Sequence, residues 1–281
     1  MKRLLLVDGM NLLFQMFYGM PSRIINSRGK AIQGTLGFVG ALLKIIRMIE
    51  PTHVVVLFDG ECKSARAEID PEYKANRPDF EGMDENDIPF SQLSDVYAAL
   101  DHLGIKHTET EGCETDDVIA SYAITYGGEY EVVISSFDSD FFGLITDKVK
   151  ILRYRGDKSI ICDSEYIRTK LGIEPYQYAD HKSLTGDTAD NIKGVDKVGA
   201  KTATALINQF GSLEGVLSGA DEIKKASVRE SVIKNADRAR MNYRLIKLNS
   251  SAPIPFDADQ LKYSLPEGAS TKEVLTAVGA Y

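Results

Sequence analysis

Tryptophan is absent from the 281-residue sequence, and cysteine occurs only three times. Cys62, Cys113 and Cys162 have neither CxxC nor metal-ligand spacing, so we expect reduced thiols in a cytoplasmic protein. The N-terminal apolar run Leu4–Val7 is far too short for a signal peptide or a membrane span, and we expect no membrane partner. Low-complexity segments and internal repeats are also missing. The composition, 43% hydrophobic and 26% charged, is that of a globular protein.

Histidine is scarce as well, with four residues at positions that favour core or surface roles: His53, His102, His107 and His181. The sequence contains no Ser–His or Cys–His catalytic set and no Walker-type phosphate loop. The net charge of −8 argues at face value against a nucleic-acid partner. The acids named below account for that excess, however, and without them acids and bases nearly balance. Net charge therefore excludes nothing.

Acidic residues are what the chain does have, and they are concentrated where an apolar run begins. Glu114, Asp116 and Asp117 fall within four positions. Like charges a few ångströms apart repel by about 1 kcal/mol in water and by more when buried. A solvated first turn of a helix explains such a run by itself, since acids gain about 0.3–1 kcal/mol from the helix dipole. The alternative is a bound cation.

Further acids follow three apolar runs that predict buried parallel strands: residues 2–7, 53–58 and 131–134. The acids at the ends of these runs are Asp8, Asp59, Asp138 and Asp140. Ligands bind at the carboxyl ends of strands in open α/β sheets, so these acids are expected at one edge. Asp187 and Asp190 add two more carboxylates downstream. Converging oxygen ligands suit Mg²⁺ or Mn²⁺, and nine carboxylates predict two ions.

The chain divides into an α/β part and a helical part. The segment from 61 to 89 is polar, too long for an ordinary connection, and carries Arg66, Lys74 and Arg77. A solvated loop or a basic strap over the acidic edge both fit it. An amphipathic helix is predicted at 91–103 and a hairpin at 149–162, after which strands are expected to stop. Helices are predicted at 164–171, 176–184, 200–210 and 226–248.

A glycine-flanked turn, Gly194–Gly199, leads into the predicted helix at 200–210. Its amide groups and the N-terminus of that helix suit a phosphate, although a helix–turn–helix packed for stability explains the turn equally well. Glycine spacing alone does not separate these interpretations.

Taken together, these motifs resemble the flap endonuclease and 5′–3′ exonuclease superfamily. The resemblance rests on seven segments that occur in the family's order: 8–9, 58–59, 73–78, 114–117, 138–140, 186–191 and 194–203. The chain is similar to the 5′–3′ exonuclease domain of bacterial DNA polymerase I and to stand-alone phage 5′ nucleases. The resemblance implies a PIN-like, mostly parallel α/β nuclease domain at 1–180, with a helical arch at about 61–100. A helical DNA-binding domain at 181–281 would contain a helix-three-turn-helix at about 184–206.

The resemblance also implies roles for the acids and bases. Asp8, Asp59, Glu114 and Asp116 would form one metal site. Asp138, Asp140 and Asp187 would serve the second, with Asp117 and Asp190 acting mostly through water. Lys74 and Arg77, assisted by Arg66, would draw the scissile phosphate onto the metals as catalytic groups.

DNA and potassium contacts follow from the same resemblance. Phe14 matches an aromatic on which a substrate base stacks, although a core position explains it nearly as well. The other DNA contacts would be Tyr73, Gly194, Gly199, Lys201 and Thr202. Potassium would be held by the backbone carbonyls of Leu184, Thr185, Lys193, Val195 and Val198. The family often has proline at the position of Lys193 and an aromatic at that of Cys113, and neither departure removes a carboxylate.

The resemblance thus implies a structure-specific 5′ nuclease that acts in DNA replication or repair, for example in flap or primer removal. Its expected partner is DNA with 5′ ends, flaps or junctions, and the expected state is a monomer. A PIN-like RNA nuclease and a DNA-structure-binding protein without catalysis are the alternatives. A phospho-acceptor receiver domain is disfavoured because it needs far fewer carboxylates.

Overall fold

The structure is a computed structural model and describes residues 2–60, 65–77, 80 and 82–280. Its centre is a six-stranded sheet of order β3-β2-β1-β4-β5-β6, in which only β6 is antiparallel to its neighbour. The strands are β1 Arg3–Asp8, β2 His53–Asp59, β3 Lys106–Thr110, β4 Glu131–Ser135, β5 Val149–Arg153 and β6 Ile160–Cys162. The predicted α/β class is confirmed, and so is the predicted hairpin, which is β5–β6.

Strand β1 lies between β2 and β4, and its side chains alternate between two apolar layers. Leu4 and Leu6 face one hydrophobic cluster, and Leu5 and Val7 face the other. Register pairs Val7 with Val56 of β2 on one side and with Ser135 of β4 on the other. The carboxyl ends of these three strands are therefore level, which brings Asp8 and its neighbours to one edge.

Helices cover both faces of the sheet. The first half of the chain contributes α1 Gly9–Gly19, α2 Gln33–Ile49, α3 Ala65–Ile69, α4 Leu93–His102 and α5 Thr115–Tyr126. Residues of α2 and α4 share the cluster of Leu5, whereas residues of α5 share the cluster of Leu6. A 3₁₀ turn, Pro89–Gln92, precedes α4, so the helix predicted at 91–103 is confirmed with a slightly later start.

The predicted arch at about 61–100 is described only in part, because residues 61–64, 78, 79 and 81 lie outside the described ranges. In the remainder of that segment the regular elements are α3, the 3₁₀ turns Glu85–Asp87 and Pro89–Gln92, and α4. Tyr73 is buried against Ile192 and Leu245, so this segment packs on the second half of the chain.

The second half is helical, as predicted. Its helices are α6 Ser164–Leu171, α7 Tyr178–Thr185, α8 Ala200–Phe210, α9 Leu213–Ser218, α10 Ala226–Lys234, α11 Ala236–Ile246 and α12 Thr271–Ala277. Two predictions were wrong. Strands do not stop after β6, because β7 Gly186–Asp187 pairs antiparallel with β8 Ile192–Lys193. The helix predicted at 226–248 is interrupted at Asn235, whose side-chain amide donates to the Ser231 carbonyl at 2.8 Å.

The C-terminal segment returns to the α/β half. Leu261 accepts a hydrogen bond from the Val54 backbone at 3.0 Å, and Tyr263 donates to the Thr52 carbonyl at 2.9 Å. Helix α12 then packs on α2 and α4, with Leu275 fully buried. The predicted division at residue 180 assigned this segment to the helical half, whereas its contacts lie on the α/β half. No helix in the described ranges is long and apolar enough to span a bilayer.

Candidate active site

A cleft of about 980 Å³ opens at the carboxyl ends of β1, β2 and β4. We call it the acidic cleft. Its acidic lining residues are Asp8, Asp59, Glu109, Glu114, Asp116 and Asp138. Lys74 and Arg77 line the same space. Residues that are far apart in the sequence therefore meet here, as the pattern of acids after strands predicts.

Asp8 is fixed by the turn from β1 into α1. One carboxylate oxygen, Oδ1, accepts from the Asn11 backbone N–H at 3.0 Å and caps the helix. The other, Oδ2, accepts from the Ser136 hydroxyl at 2.8 Å. Burial raises the pKa of Asp8 to about 7, and the nearby charges of Asp59 and Asp138 add to the effect. The two hydrogen bonds thus hold the Asp8 carboxylate in place, while burial and the neighbouring acids disfavour its charged form.

Asp138 and Asp140 lie on the turn after β4. The Asp138 backbone donates to the Ser136 hydroxyl at 3.0 Å, and Asp138 Oδ1 accepts from the Asp140 backbone at 2.8 Å. Asp140 Oδ1 is buried and has no hydrogen-bond partner among the residues that the structure describes. Burial, followed by repulsion from Asp138, Asp187 and Asp190, raises the pKa of Asp140.

Glu114 precedes α5 and is held by cationic and phenolic groups of the 65–77 segment. The Lys74 ammonium donates to Glu114 Oε2 at 2.8 Å, and the Tyr73 hydroxyl reaches the same oxygen at 3.3 Å. Arg66 lies 3.3 Å from Glu114 Oε1. Asp116, in the first turn of α5, has its pKa raised by burial and then by the charges of Asp138 and Asp8.

Arg66 and Asp117 form a buried ion pair outside the lining of the acidic cleft. The guanidinium donates to both Asp117 oxygens, at 3.0 and 2.7 Å. It also donates through Nε to the Leu245 carbonyl at 2.7 Å, and Asp117 accepts from the Asn249 backbone at 2.9 Å. Although burial alone would lower it, the pKa of Arg66 is raised by Asp117 and Glu114. The pair therefore joins α3, α5 and the end of α11.

Asp187 and Asp190, on the β7–β8 hairpin, lie near Asp138 and Asp140, and we call the predicted acids that meet here the acid cluster. Asp187 Oδ2 lies 2.6 Å from the Lys182 ammonium, and Asp190 Oδ1 lies 3.5 Å from the Arg77 guanidinium. Burial raises the pKa of Asp190, and Asp138 and Asp187 contribute to the increase against the opposing effect of Lys74 and Arg77.

The side chains of the cluster fit hard divalent cations in their chemistry. They are carboxylates whose charged forms are disfavoured by burial and by one another, and one buried carboxylate oxygen, on Asp140, has no donor in the described ranges. Among the described residues, however, no three acids, histidines or cysteines already form a complete coordination group. Lys74, Arg66 and Lys182 instead pair with individual acids and partly neutralise them.

The predicted helix-three-turn-helix corresponds to α7, the β7–β8 hairpin and α8. Gly186 and Gly194 face each other so closely that a Cβ on Gly194 would lie 2.3 Å from the Thr185 carbonyl oxygen. The Leu184 carbonyl accepts from the Val195 backbone at 2.8 Å, and the Lys193 carbonyl accepts from the Asn242 side chain at 2.9 Å. The backbone segments 184–186 and 193–195 therefore lie in close contact where the potassium site is predicted.

The remaining predicted DNA contacts lie at two places. Gly199 precedes α8 and follows a turn in which the carbonyl of Val195, a predicted potassium ligand, accepts from the Val198 backbone N–H at 3.1 Å. Lys201 is exposed and Thr202 half-buried in the first turn of that helix. Tyr73, by contrast, is buried, and the Lys74 ammonium lies 4.9 Å from the centre of its ring.

Aromatic residues line the other side of the acidic cleft. The ring of Phe14 makes edge contacts with Phe90, Tyr18 and Phe80, at centroid distances of 5.4, 6.0 and 6.1 Å. Of these four aromatic residues, the family resemblance predicted only Phe14. Phe80 lies in the polar segment 61–89 and Phe90 directly follows it, and their contrast with that polar surrounding could have identified them. Ser136, also missed, lies between β4 and Asp138 and could have been found from its position.

Family models match almost the whole chain. Residues 3–172 match the 5′–3′ exonuclease N-terminal resolvase-like domain, and residues 173–269 match the 5′–3′ exonuclease C-terminal SAM fold. The thermostable DNA polymerase I of Thermus aquaticus is 35% identical over 91% of this chain. DNA polymerase I of Borreliella burgdorferi is 32% identical over 91% of this chain. The chain spans only 29% and 28% of the length of these two relatives.

Solved structures have the same fold. The bacteriophage T5 flap endonuclease, in a complex with DNA and metal ions, superposes with a TM-score of 0.72 at 23% identity, over 99% of this chain and 100% of that one. The catalytic core of Rad2 with a DNA substrate gives a TM-score of 0.63 at 16% identity, over 100% of this chain and 88% of that one. At these identities the likeness establishes the two-part architecture.

Proposed function

Because this chain belongs to the 5′–3′ exonuclease family, we propose that it is a metal-dependent nuclease that hydrolyses DNA at 5′ ends and 5′ flaps. One observation carries the proposal. Acids from three strand ends and from the start of α5 line a single cleft, and Lys74 and Arg77 line that cleft with them. The acids of such a cleft would bind cations, and these cations together with Lys74 and Arg77 would neutralise the negative charge of a phosphodiester.

Two Mg²⁺ or Mn²⁺ ions, when bound, would supply an activated water and stabilise the leaving 3′ oxygen. Asp8, Asp59, Glu114 and Asp116 are the proposed ligands of the first ion. Asp138, Asp140 and Asp187 are those of the second, with Asp190 acting through water. This proposal is supported by the oxygen-only chemistry of these side chains and by the buried Asp140 Oδ1, which has no hydrogen-bond partner within the described part of the chain.

The basic residues have separate proposed roles. Lys74 and Arg77 line the cleft and would bind the scissile phosphate as charged donors. Arg66 and Asp117 are engaged with each other, so we propose that they orient α5, and with it Glu114 and Asp116, instead of contacting the substrate.

Duplex DNA would bind along the α7–α8 module. Gly194, Gly199, Lys201 and Thr202 surround the entry to α8, where backbone amides and a positive helix end favour a phosphate. A potassium ion on the carbonyls of Leu184, Thr185, Lys193, Val195 and Val198 would bridge the protein to that phosphate. Phe14, beside the cleft, would stack on a base, an interaction of about 1–3 kcal/mol.

The experiment is cleavage of a labelled 5′-flap DNA by the purified protein, with Mg²⁺ and with EDTA. We expect cleavage only with the metal, and a loss of at least about 100-fold in the Asp116→Asn variant. The matched control is Asp101→Asn, an exposed acid on α4, which should cleave as the wild type does. Normal DNA binding without cleavage in Mg²⁺ or Mn²⁺ would refute the proposal and favour a non-catalytic binding protein.

A parallel RNA flap separates the remaining alternative. Preferential cleavage of the RNA strand would favour a PIN-like RNA nuclease. We further propose that the protein acts as a monomer in a reducing compartment such as the cytoplasm, where the buried Cys162 would stay a free thiol. Size-exclusion chromatography with light scattering tests the oligomeric state.

A further inference from the structure

Two turns, one from each half of the chain, meet beside the acidic cleft. The Lys74 turn, residues 72–77, carries Lys74 and Arg77, and the Asp190 turn, residues 188–191, connects β7 to β8. The Lys74 backbone N–H donates to the Asp190 carbonyl at 3.0 Å. The two turns are therefore joined directly at the residue that pairs with Glu114.

Two asparagines make this junction reciprocal. Asn76, on the Lys74 turn, donates through Nδ2 to the Thr188 carbonyl at 3.0 Å. Asn191, on the Asp190 turn, donates through Nδ2 to the Glu72 carbonyl at 2.8 Å. Both side chains are exposed, and neither lines the acidic cleft. We call this pair of hydrogen bonds the asparagine clasp.

The backbone of Lys74 explains why a clasp is needed. Its φ is +58°, in the left-handed region that a lysine rarely adopts without support from its surroundings. Its side chain has four rotatable bonds, yet it is only 16% exposed and its ammonium lies 2.8 Å from Glu114. A change at the turn would move the ammonium away from this position. Asn191 also has a φ of +58°, which asparagine tolerates better than most residues.

We propose that Asn76 and Asn191 are positioning residues that hold Lys74 over the acid cluster, an inference that rests on the proposed nuclease function. They touch neither the substrate nor the reacting atoms and act through Lys74. Because the Asp190 turn lies between α7 and α8, the clasp also ties Lys74 to the module proposed to hold duplex DNA.

The variants that test this are Asn76→Ala and Asn191→Gly, the second chosen because glycine accepts a positive φ. In single-turnover cleavage of 5′-flap DNA, each should slow the reaction about 10- to 100-fold, as expected for a displaced catalytic group. Duplex affinity without divalent metal should stay within about twofold. In a Lys74→Ala background, the same substitutions should cost less than about twofold more, because residues that act as a unit are not additive.

Asn208→Ala is the matched control. Asn208 is exposed and donates through Nδ2 to the Gly172 carbonyl at 2.9 Å, a bond of the same kind on the far end of α8. This variant should cleave as the wild type does. A wild-type rate in both clasp variants would overturn the inference. So would an equal loss with and without Lys74, or a loss that is matched by weaker duplex binding.

A second readout needs no activity. In metal-free protein, an amine-reactive reagent followed by peptide mapping measures how readily the Lys74 ammonium is modified. We expect severalfold faster modification in the clasp variants and no change in Asn208→Ala. If the wild type itself fails to cleave with Mg²⁺ or Mn²⁺, the proposed function fails, and an unchanged modification rate of Lys74 would overturn the clasp separately.

Discussion

Lys74 combines an unfavourable backbone conformation, a partly buried ammonium and an acidic partner at one residue. Replacing Lys74 with alanine removes a cation from the cleft but leaves the α7–α8 module intact. We expect single-turnover cleavage to fall about 100-fold or more, while duplex affinity changes by less than about threefold. Rapid-quench kinetics and fluorescence anisotropy measure the two quantities. Equal losses in both would contradict a role at the scissile phosphate.

Asp8 couples the charge of the site to stability. Burial raises its pKa from 3.8 to about 7, so the folded, metal-free protein keeps a proton there that the unfolded chain releases above about pH 4. The free energy of unfolding contributed by this group is therefore present below pH 4 and is lost as the pH rises to 7. Glu174 has the opposite effect because its pKa is lowered. The stability that it contributes is present above its ordinary pKa of 4.5 and is lost as the pH falls below that value.

The Asp8→Asn variant tests that coupling. Without metal at pH 7 it should be more stable than the wild type by about 2–4 kcal/mol, since each pKa unit corresponds to about 1.4 kcal/mol. Its stability should also depend less on pH between 4 and 7. Urea unfolding at several pH values, in the presence of EDTA, measures both. If the unfolding free energies of the two proteins changed with pH in the same way, the pKa of Asp8 would not be raised in the folded state.

At the scale of single residues, the sequence predicted that Asp8, Asp59 and Asp138 lie together because each follows a predicted strand, whereas Glu109, which also lines the cleft, was not predicted. Asp8 and Asp59 end short apolar runs that are typical of buried parallel strands. The partner of Asp117 could not be predicted in the same way. Arg66 lies in a polar segment, and its Nε reaches the Leu245 carbonyl, a contact between distant parts of the chain that no local pattern encodes.

Among the elements, the β7–β8 hairpin depends on two glycines, Gly186 and Gly194, at which backbone approaches backbone closely. A Gly194→Ala methyl would lie 2.3 Å from the Thr185 carbonyl oxygen, so the backbone must shift. We expect a loss of about 1–3 kcal/mol in unfolding free energy and weaker duplex binding. Gly199→Ala is the control, because a Cβ there meets nothing within 4 Å, and it should cost less than about 1 kcal/mol. Equal stability of the two variants in thermal melts would contradict the close packing.

Secondary-structure elements were predicted correctly where the apolar period extends over several turns. They were not predicted where a single side chain determines the end of an element. The helix at 200–210 was predicted to the residue because its apolar period is regular. The break at Asn235 depends on one side-chain hydrogen bond, and two-residue strands such as β7 have no period at all. The hydrophobic pattern of the sequence indicates neither the break at Asn235 nor strand β7.

At the scale of the whole molecule, one apolar cluster runs from the sheet into the helical half. It includes Leu6 of β1, Tyr178 of α7 and Leu206 of α8. We therefore expect the chain to unfold in a single transition. Leu206→Ala should lower the unfolding free energy of the entire chain by about 2–5 kcal/mol, and its exposed neighbour Gln209→Ala should not.

Differential scanning calorimetry measures this effect. Two separate peaks, of which only one moves in Leu206→Ala, would contradict a continuous core. The return of residues 261–280 to the α/β half is a related feature that the sequence did not predict. Its buried residues, such as Leu275, are few and widely spaced, so the sequence did not indicate which half they pack against.

Because Phe14 contacts Phe80 and Phe90 in the wall of the cleft, a fluorophore at position 14 would report on that wall. The chain contains no tryptophan, so a single indole introduced at position 14 would be its sole indole fluorophore. Its emission would report the polarity of that wall of the cleft, and quenching by a nucleobase would reveal occupancy in real time. Ligand entry would thus become visible before any bond is cut.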